Sequence, residues 1–394
     1  MRTADGKARW IMLAMLFVCR TALGLQFQTV GSVGNALHAA FGFSHARIGT
    51  LIGLFMLPGA LVAMPSGYAG RYFSDRVLVG VGLIALGTGG FAATAAHSFG
   101  WLAAGRILSG TGFVISTLYF TKMTQDWFAG KELATAMGVL VMSWPFGIAI
   151  GQLGFPALVA IHGWNAVFDA SAAYCVAAAV LVLLVYRPPA QHAELPLDAP
   201  LGLPRNELAL TLIASLVWAL FNGSYVVYLS FAPQLLVSTG YAPVPASAVV
   251  SITSWTLIFS GALWGYIADR TRKRDQVLYA CTAIAVGSLA LLQHGSQATL
   301  LCFMLGFMGF APAGIIMALT GESMSTQRRA FGMGVFLTAN YLLFAPAPAI
   351  AGWLYDRSGN ASHAVLFAGL LFAAAALFNF VFRLMQRRLP ALAG

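Results

Sequence analysis

Long apolar runs and short polar breaks follow one another along the whole chain. Each run is about 20 residues, the length that an α-helix needs to cross a hydrocarbon core of about 30 Å. The runs are continuous, whereas the strands of a membrane β-barrel alternate apolar and polar positions. The pattern therefore predicts twelve helical spans, near residues 10–31, 47–66, 77–96, 101–122, 133–160, 164–186, 207–231, 246–266, 276–293, 298–320, 331–353 and 363–384.

The composition agrees with a chain that mostly faces lipid. Of 394 residues, 59% are hydrophobic and 9% are charged, whereas a soluble domain has about 25% charged residues. The longest polar segment, 187–206, is rich in proline and is predicted to be a linker. It divides an all-α membrane protein into two six-helix halves, residues 1–186 and 207–394. Basic residues before the first run also fit a signal peptide, but the apolar pattern resumes after Arg20 without a cleavage pattern.

The net charge of +10 is distributed unevenly between the two sides of the predicted membrane. If the amino terminus is cytoplasmic, 18 of the 22 basic residues lie on that side and only Arg47 and Arg357 lie on the other. Cytoplasmic loops carry an excess of Lys and Arg, so both termini are predicted to be cytoplasmic, in a bacterial inner membrane. Topology explains the charge, and no nucleic-acid partner is expected.

Two charged loops mark a repeat of half the chain. Gly67 begins "GYAGRYFSDR" and Gly265 begins "GYIADRTRKRD", 198 residues later. The second loop resembles a pattern of the major facilitator superfamily, G-x-x-x-D-R-x-x-[RK]-[RK], through Gly265, Asp269, Arg270, Lys273 and Arg274. The first copy is degenerate, because Gly70 stands where an aspartate is expected before Arg71. Asp75 and Arg76 are candidate replacements.

The resemblance extends to the fourth span. "LAAGRILSGTG" is similar to the family pattern L-x-x-x-R-x-x-x-G-x-G through Arg106 and Gly110, and "TKMTQDWFAGKELATAMG" resembles the cyanate and nitroimidazole transporter branch. The resemblance implies two six-helix halves, alternating access and no cofactor. It also implies gating roles for both charged loops and for Arg106 and Gly110.

Arg20 is a permanent cation near the centre of the first span. It lies about 15 Å from either end of that span, too far for its side chain to reach water easily. None of the twelve acidic residues falls near the middle of a span; Asp169 comes closest. Gly24 and Gln28 extend the same helix face, so Arg20 is predicted to face a watery cavity and to bind a transported anion. The alternative is an arginine hydrogen-bonded to backbone carbonyls at a packed interface.

Other polar and aromatic residues inside the spans are candidate cavity residues. Trp218, Asn222 and Tyr225 share one face of the seventh span, with spacing i, i+4, i+7. The alternative for this face is interhelical packing with local hydrogen bonds. The other substrate-binding candidates are Gln28, Trp144, Trp255, Asn340 and Tyr341.

These observations favour a monomeric secondary active or facilitative transporter of a small organic or inorganic anion. An exporter of amphipathic or neutral compounds and a non-transporting receptor or scaffold are the alternatives. The seven histidines are scattered over loops and helix ends, and the four cysteines lie singly in apolar runs. Neither a metal site nor an enzyme is therefore expected.

Overall fold

A computed structural model describes residues 4–128, 132–189 and 202–388. The secondary structure within these ranges is helical, without strands. A π-helical turn spans Leu305–Gly309, and a 3-10 turn spans Thr326–Arg328. The α-helices are α1 (Ala4–Phe41), α2 (His45–Met56), α3 (Gly59–Ala69), α4 (Asp75–Thr94), α5 (Phe99–Trp127), α6 (Leu133–His162), α7 (Asn165–Val185), α8 (Arg205–Ser238), α9 (Pro243–Thr271), α10 (Arg274–Leu292), α11 (Ala298–Met304), α12 (Ala313–Ser323), α13 (Arg329–Phe344), α14 (Ala347–Ser358) and α15 (Ala361–Arg388).

The helices agree with the twelve predicted spans. Eleven segments of the described residues are long and apolar enough to cross a membrane. The twelfth is α5, whose 29 residues suffice in length and which is less apolar because it carries Arg106, Lys122 and many small polar residues. The prediction of an all-α membrane protein is confirmed. Most of the predicted linker, 190–201, lies outside the described residues.

Proline explains why three predicted spans are broken into shorter helices. Pro58 lies between α2 and α3, Pro312 precedes α12, and Pro346 lies between α13 and α14. Proline has no N–H and its ring clashes with the carbonyl four residues earlier, which kinks or breaks a helix. Such breaks persist in membrane helices where neighbouring groups satisfy the freed backbone atoms.

The described residues form two compact units. Unit 1 contains the residues up to Phe41 and those from Leu54 to the end of the first half, and unit 2 contains Gly42–Gly53 and the second half. The first turns of α2 thus pack in unit 2, although they belong to the first half of the sequence. The division into two functional halves, residues 1–186 and 207–394, stays a prediction.

Unit 2 holds the start of α2 through backbone contacts with α14. A Cβ on Gly49 would lie 2.0 Å from the carbonyl oxygen of Pro348, and one on Gly352 would lie 2.1 Å from that of His45. The Asp356 carboxylate accepts hydrogen bonds from the backbone N–H groups of His45 (2.9 Å) and Ala46 (2.8 Å). This carboxylate satisfies donors that a helix start leaves without intrahelical partners.

Candidate functional site

Arg20 is anchored to the backbone of α6. Its Nη1 donates to the carbonyl oxygens of Leu140 (2.8 Å) and Val141 (3.4 Å) and to Ser143 Oγ (2.9 Å). Pro145 follows Val141 by four residues and has no N–H, so the Val141 carbonyl lacks its usual helical donor. The guanidinium therefore occupies a gap in the hydrogen-bond ladder of α6.

Two glycines bring α1 close enough to α6 for this contact. A Cβ on Gly24 would lie 2.3 Å from the carbonyl oxygen of Trp144, and a Cβ on Gly147 would lie 2.4 Å from that of Thr21. Small residues allow membrane helices to approach at the backbone. The helix face of Arg20, Gly24 and Gln28, predicted to border a watery cavity, packs against α6 in this structure. Arg20 itself is 7% exposed, as the packed-interface alternative expects.

The other predicted residues of this part of unit 1 pack beside Arg20. Gln28 is buried, donates from Nε2 to Ser32 Oγ at 3.1 Å, and packs against Gly151 of α6. The Trp144 ring lies 5.6 Å from the ring of Phe27 between centroids. Both therefore contribute to the α1–α6 contact.

Arg106 is a second buried arginine, held on the backbone of α1. Its guanidinium donates to the Gln26 carbonyl oxygen at 3.0 Å and to Thr29 Oγ1 at 3.2 Å. Its Cζ lies 4.3 Å from the centre of the Phe55 ring, within the range of a cation–π interaction. Gly110, one turn further along α5, would place a Cβ 2.1 Å from the Phe55 carbonyl oxygen. Arg106 and Gly110 thus join α5 to α1 and to the end of α2.

Unit 2 contains an aromatic cluster. Phe310 and Phe372 stack with centroids 5.6 Å apart, and the Tyr225 ring lies 4.9 Å from Phe310. The Trp218 ring stacks on Phe221 at 5.5 Å. Tyr225 also shares a 3.1 Å hydrogen bond between its hydroxyl and Ser254 Oγ. These rings form a well-packed interior, and the Tyr225 hydroxyl finds a partner within it.

The remaining predicted residues of unit 2 differ in exposure and bonding. Asn222 Nδ2 donates to the Trp218 carbonyl oxygen of its own helix at 2.8 Å, as the local-bonding interpretation expects. Trp255 and Tyr341 are half-buried. Asn340 is 4% exposed, and its Oδ1 has no hydrogen-bond partner among the described residues.

The π-helical turn is a feature that sequence reasoning missed. The Phe310 N–H donates to the Leu305 carbonyl oxygen at 2.7 Å, one residue beyond the α-helical pattern. A Cβ on Gly306 would lie 2.3 Å from the Thr253 carbonyl oxygen, so α9 approaches this turn at the backbone. Single π turns often mark functional sites. Gly306 was visible in the sequence, but glycine alone does not indicate this hydrogen-bond pattern.

The first charged loop is built around Asp75. Lys122 Nζ lies 2.7 Å from Asp75 Oδ1, and the carboxylate is 7% exposed at the start of α4. Arg76 is exposed, and the exposed Arg71 lies over the Tyr68 ring at 5.0 Å. A Cβ on Gly67 would meet no neighbour within 4 Å. Of the proposed replacements for the missing aspartate, Asp75 therefore makes the buried ion pair.

The second charged loop uses a different arrangement. Arg383 Nε lies 3.0 Å from both carboxylate oxygens of Asp275, and its Nη1 pairs with Glu322. Arg274 Nη1 is 3.5 Å from Glu322. Asp75 and Asp275 are 200 residues apart, as are Lys122 and Glu322. The aspartate is thus present in both units, whereas the other position carries a lysine in unit 1 and a glutamate in unit 2.

The other predicted residues of this loop are peripheral or undescribed. Arg270 donates to the Tyr266 hydroxyl at 3.2 Å, Lys273 is exposed, and a Cβ on Gly265 would meet no neighbour within 4 Å. Asp269 lies in α9, but its side chain is outside the part of the chain that the structure describes. Its predicted gating role remains a prediction.

The sequence analysis also missed two ion pairs, one in each unit, whose charges are reversed between the units. In unit 1, Arg9 of α1 lies 2.8 Å from Glu132, just before α6. In unit 2, Glu207 of α8 lies 3.1 Å from Arg328, just before α13. Arg9 and Glu207 are 198 residues apart, and Glu132 and Arg328 are 196 residues apart. Both separations are close to the 198-residue spacing of the two charged loops. The signal was present in the sequence as opposite charges at equivalent positions.

Comparison with known protein sequences agrees with this architecture. The family model described as Major Facilitator Superfamily matches residues 16–348. The hexuronate transporter of Bacillus subtilis (strain 168) is 24% identical over 369 residues, which are 86% of each chain. The 2-nitroimidazole transporter of Escherichia coli (strain K12) is 22% identical over 382 residues, covering 95% of this chain and 96% of the relative.

Solved structures show the same fold. A bacterial homologue of the human lysosomal transporter Spinster, in an inward-facing and unoccupied conformation, superimposes with a TM-score of 0.76 at 17% identity, covering 97% of this chain and 99% of that one. A D-xylose–proton symporter gives a TM-score of 0.75 at 14% identity, covering 94% of this chain and 97% of that one.

Proposed function

Because the chain belongs to the major facilitator superfamily and is a membrane transporter, we propose that it carries a small anion by alternating access, with Arg20 binding the anionic group. The observation that carries this proposal is a buried guanidinium near the middle of α1 that donates to backbone carbonyl and hydroxyl oxygens of α6. A carbonyl or hydroxyl oxygen shares a hydrogen bond without bringing a negative charge. An anion is the stronger partner, since hydrogen bonds between charged groups are roughly twice as strong as neutral ones.

The contacts of Arg20 also connect anion binding to the shape of α6. The bond from Nη1 to the Val141 carbonyl is the longest of the three, at 3.4 Å, and it fills the gap left by Pro145. An anion that draws the guanidinium away breaks this bond first and leaves α6 with an unsatisfied carbonyl at Val141. A ligand shifts a conformational equilibrium only by binding the two states differently, and this exchange of partners supplies such a difference.

The relatives support both an anionic substrate and its main alternative. A hexuronate is a sugar acid and carries a carboxylate, whereas 2-nitroimidazole carries none. The neutral alternative finds support in the aromatic cluster of unit 2. We favour the anion because a charged residue inside a membrane span costs about 2.5–3.5 kcal/mol on insertion scales, and such residues commonly mark substrate or ion pathways.

The charge distribution supports an orientation with both termini in the cytoplasm of a bacterial inner membrane. The four native cysteines are buried and need not be removed. Thiol labelling then reports the accessibility of single cysteines introduced in the loops. Ser98→Cys and Asn360→Cys are expected to react with an impermeant thiol reagent from outside, and Arg71→Cys and Arg270→Cys only from inside. Labelling of Arg270→Cys from outside would overturn this orientation.

The experiment that tests the substrate class is a thermal-shift screen of the purified chain. Small carboxylates, cyanate, nitrate, aromatic acids and neutral imidazoles are compared in wild type and in Arg20→Gln. An anion is expected to raise the unfolding midpoint of wild type and to leave that of Arg20→Gln unchanged. Stabilisation by neutral compounds alone, equal in both proteins, would support the neutral-compound exporter instead.

A further inference from the structure

We propose that a basic pocket in unit 2 binds the phosphate headgroup of an anionic phospholipid. The proposal goes beyond the transported substrate, because every residue that carries it belongs to unit 2, whereas Arg20 belongs to unit 1. It starts from a charged cavity at helix ends that the proposed function does not use.

The pocket lies where α9 ends and α10 begins, beside the last turns of α15. The apolar spans Arg274–Leu292 and Ala361–Arg388 begin and end here, so the pocket is at a membrane surface. It has a volume of about 670 Å³, within the range of small-molecule sites. Four of its six lining side chains are cationic and one is anionic, and they are Arg272, Lys273, Arg274, Asp275, Gln276 and Arg383.

The acidic groups at the pocket are already paired, whereas two of its cations are not. Both carboxylate oxygens of Asp275 accept from Arg383 Nε at 3.0 Å, and Glu322 pairs with Arg383 as well. Arg272 and Lys273 are exposed and form no ion pair with any residue that the structure describes. Their charges are therefore available to an anionic ligand.

The backbone at Arg272 has an unusual conformation. Its φ is 56°, in the left-handed region, where a Cβ comes too close to the following carbonyl oxygen. Strained backbone of this kind concentrates at ligand-binding and switch regions. Here the strain falls on one of the two unpaired cations, in the turn between α9 and α10.

A groove continues from the pocket along the lipid-facing side of α10. The exposed residues after Gln276 are Ala280, Ala283 and Gly287, which share one helix face because an α-helix has 3.6 residues per turn. All three are small, and a Cβ on Gly287 would meet no neighbour within 4 Å. This face of α10 is therefore shallow and open.

Bulky side chains of α15 border this groove. The two helices are antiparallel, because Asp275 pairs with Arg383 at one end and Leu289 packs at Gly369 towards the other. On each helix the exposed face lies about a quarter turn from these contacts, and the helical geometry puts both faces on the same side of the pair. The residues that α15 exposes there include Leu377 and Leu384.

The pocket and the groove together fit a lipid better than a free ion. A phospholipid carries a charged headgroup and acyl chains, so it can occupy both at once, whereas inorganic phosphate can occupy only the pocket. Basic pockets between transmembrane helices at the cytoplasmic face, where the proposed orientation puts this one, bind anionic headgroups.

The test measures lipid binding to the full chain in detergent. Dissociation constants are determined for phosphatidylglycerol, for phosphatidylcholine with the same acyl chains and for inorganic phosphate. We expect wild type to bind phosphatidylglycerol most tightly. Arg272→Gln/Lys273→Gln should weaken that binding about thirtyfold, the effect of removing two cations from an anionic surface.

The matched control is Lys7→Gln/Arg205→Gln, which removes two exposed cations outside the pocket and should bind phosphatidylglycerol like wild type. Equal losses in the two double variants, or equal binding of the two lipids by wild type, would overturn the proposal. If inorganic phosphate binds as tightly as phosphatidylglycerol, the pocket is a site for a free anion and the assignment to a lipid is wrong.

A second readout separates lipid binding from a structural role. Arg272→Gly should raise the unfolding midpoint in detergent without lipid, because glycine adopts a positive φ without strain. The same variant should bind phosphatidylglycerol more weakly, because one cation is lost while the fold is retained. Unchanged affinity for phosphatidylglycerol in Arg272→Gly would contradict the proposal.

Discussion

The Nη1 nitrogen of Arg20 lies 2.8 Å from the carbonyl oxygen of Leu140, which ties the first helix of the chain to the proline-containing helix α6. The contact depends on two sequence features of α6. Gly147 lets the helices meet at the backbone, and Pro145 leaves the neighbouring Val141 carbonyl without a helical donor. Each feature can be changed separately.

Gly147→Ala tests the close approach of α1 and α6. The added Cβ would lie 2.4 Å from the Thr21 carbonyl oxygen, so the helices must separate. Overpacking of this kind lowers the free energy of unfolding by about 1–3 kcal/mol. Gly154→Ala is the matched control, because Gly154 lies in the same helix with no neighbour within 4 Å; it should leave stability unchanged or raise it slightly. Equal unfolding midpoints for both variants would contradict the crossing.

Pro145→Ala tests the gap in the α6 ladder. Alanine restores an N–H for the Val141 carbonyl, so this oxygen no longer needs Arg20. We expect α6 to straighten and turnover to fall about tenfold, equivalent to about 1.4 kcal/mol, without a loss of thermal stability. Pro156→Ala, in the same helix but away from Arg20, should change turnover much less. Equal effects of the two substitutions on transport rate would show that the position of the proline is unimportant.

The apolar pattern was sufficient to predict the twelve spans because burial in lipid requires about 20 apolar residues per helix. It did not predict where spans break, although Pro58 and Pro346 were visible, because membrane helices often tolerate proline. Whether Arg20 faces water or carbonyl groups depends on which helix meets α1, and that is a tertiary property of Gly24 and Gly147. The π-helical turn likewise depends on the approach of α9 at Gly306.

The reversed ion pairs predict a rescue by charge exchange in unit 2. Glu207→Arg places a cation beside Arg328 and should lower the free energy of unfolding by about 2 kcal/mol, the loss of a charged hydrogen bond. The double variant Glu207→Arg/Arg328→Glu recreates the arrangement of Arg9 and Glu132 and should recover at least half of that loss in chemical unfolding. If the double variant loses as much free energy of unfolding as the two single variants together, Glu207 and Arg328 do not stabilise each other.

Asp269→Asn tests the gating role that the family pattern implies for the second charged loop. The substitution should reduce the maximal transport rate more than it weakens substrate binding, because it would shift a conformational equilibrium and leave the binding residues unchanged. Asp275→Asn should instead lower thermal stability, since its carboxylate binds Arg383. A large loss of affinity in Asp269→Asn with an unchanged maximal rate would argue against gating.

The most direct test of the central claim is anion uptake by proteoliposomes that contain Arg20 variants. The substrate is the anion that stabilises wild type most strongly in the thermal-shift screen. Arg20→Ala should abolish uptake without preventing folding, and Arg20→Lys should retain weak uptake, because a lysine keeps the charge but loses the planar fork. Lys7→Ala, which removes an exposed cation from the same helix, should transport like wild type. Undiminished uptake by Arg20→Ala would contradict the claim that Arg20 binds the transported anion.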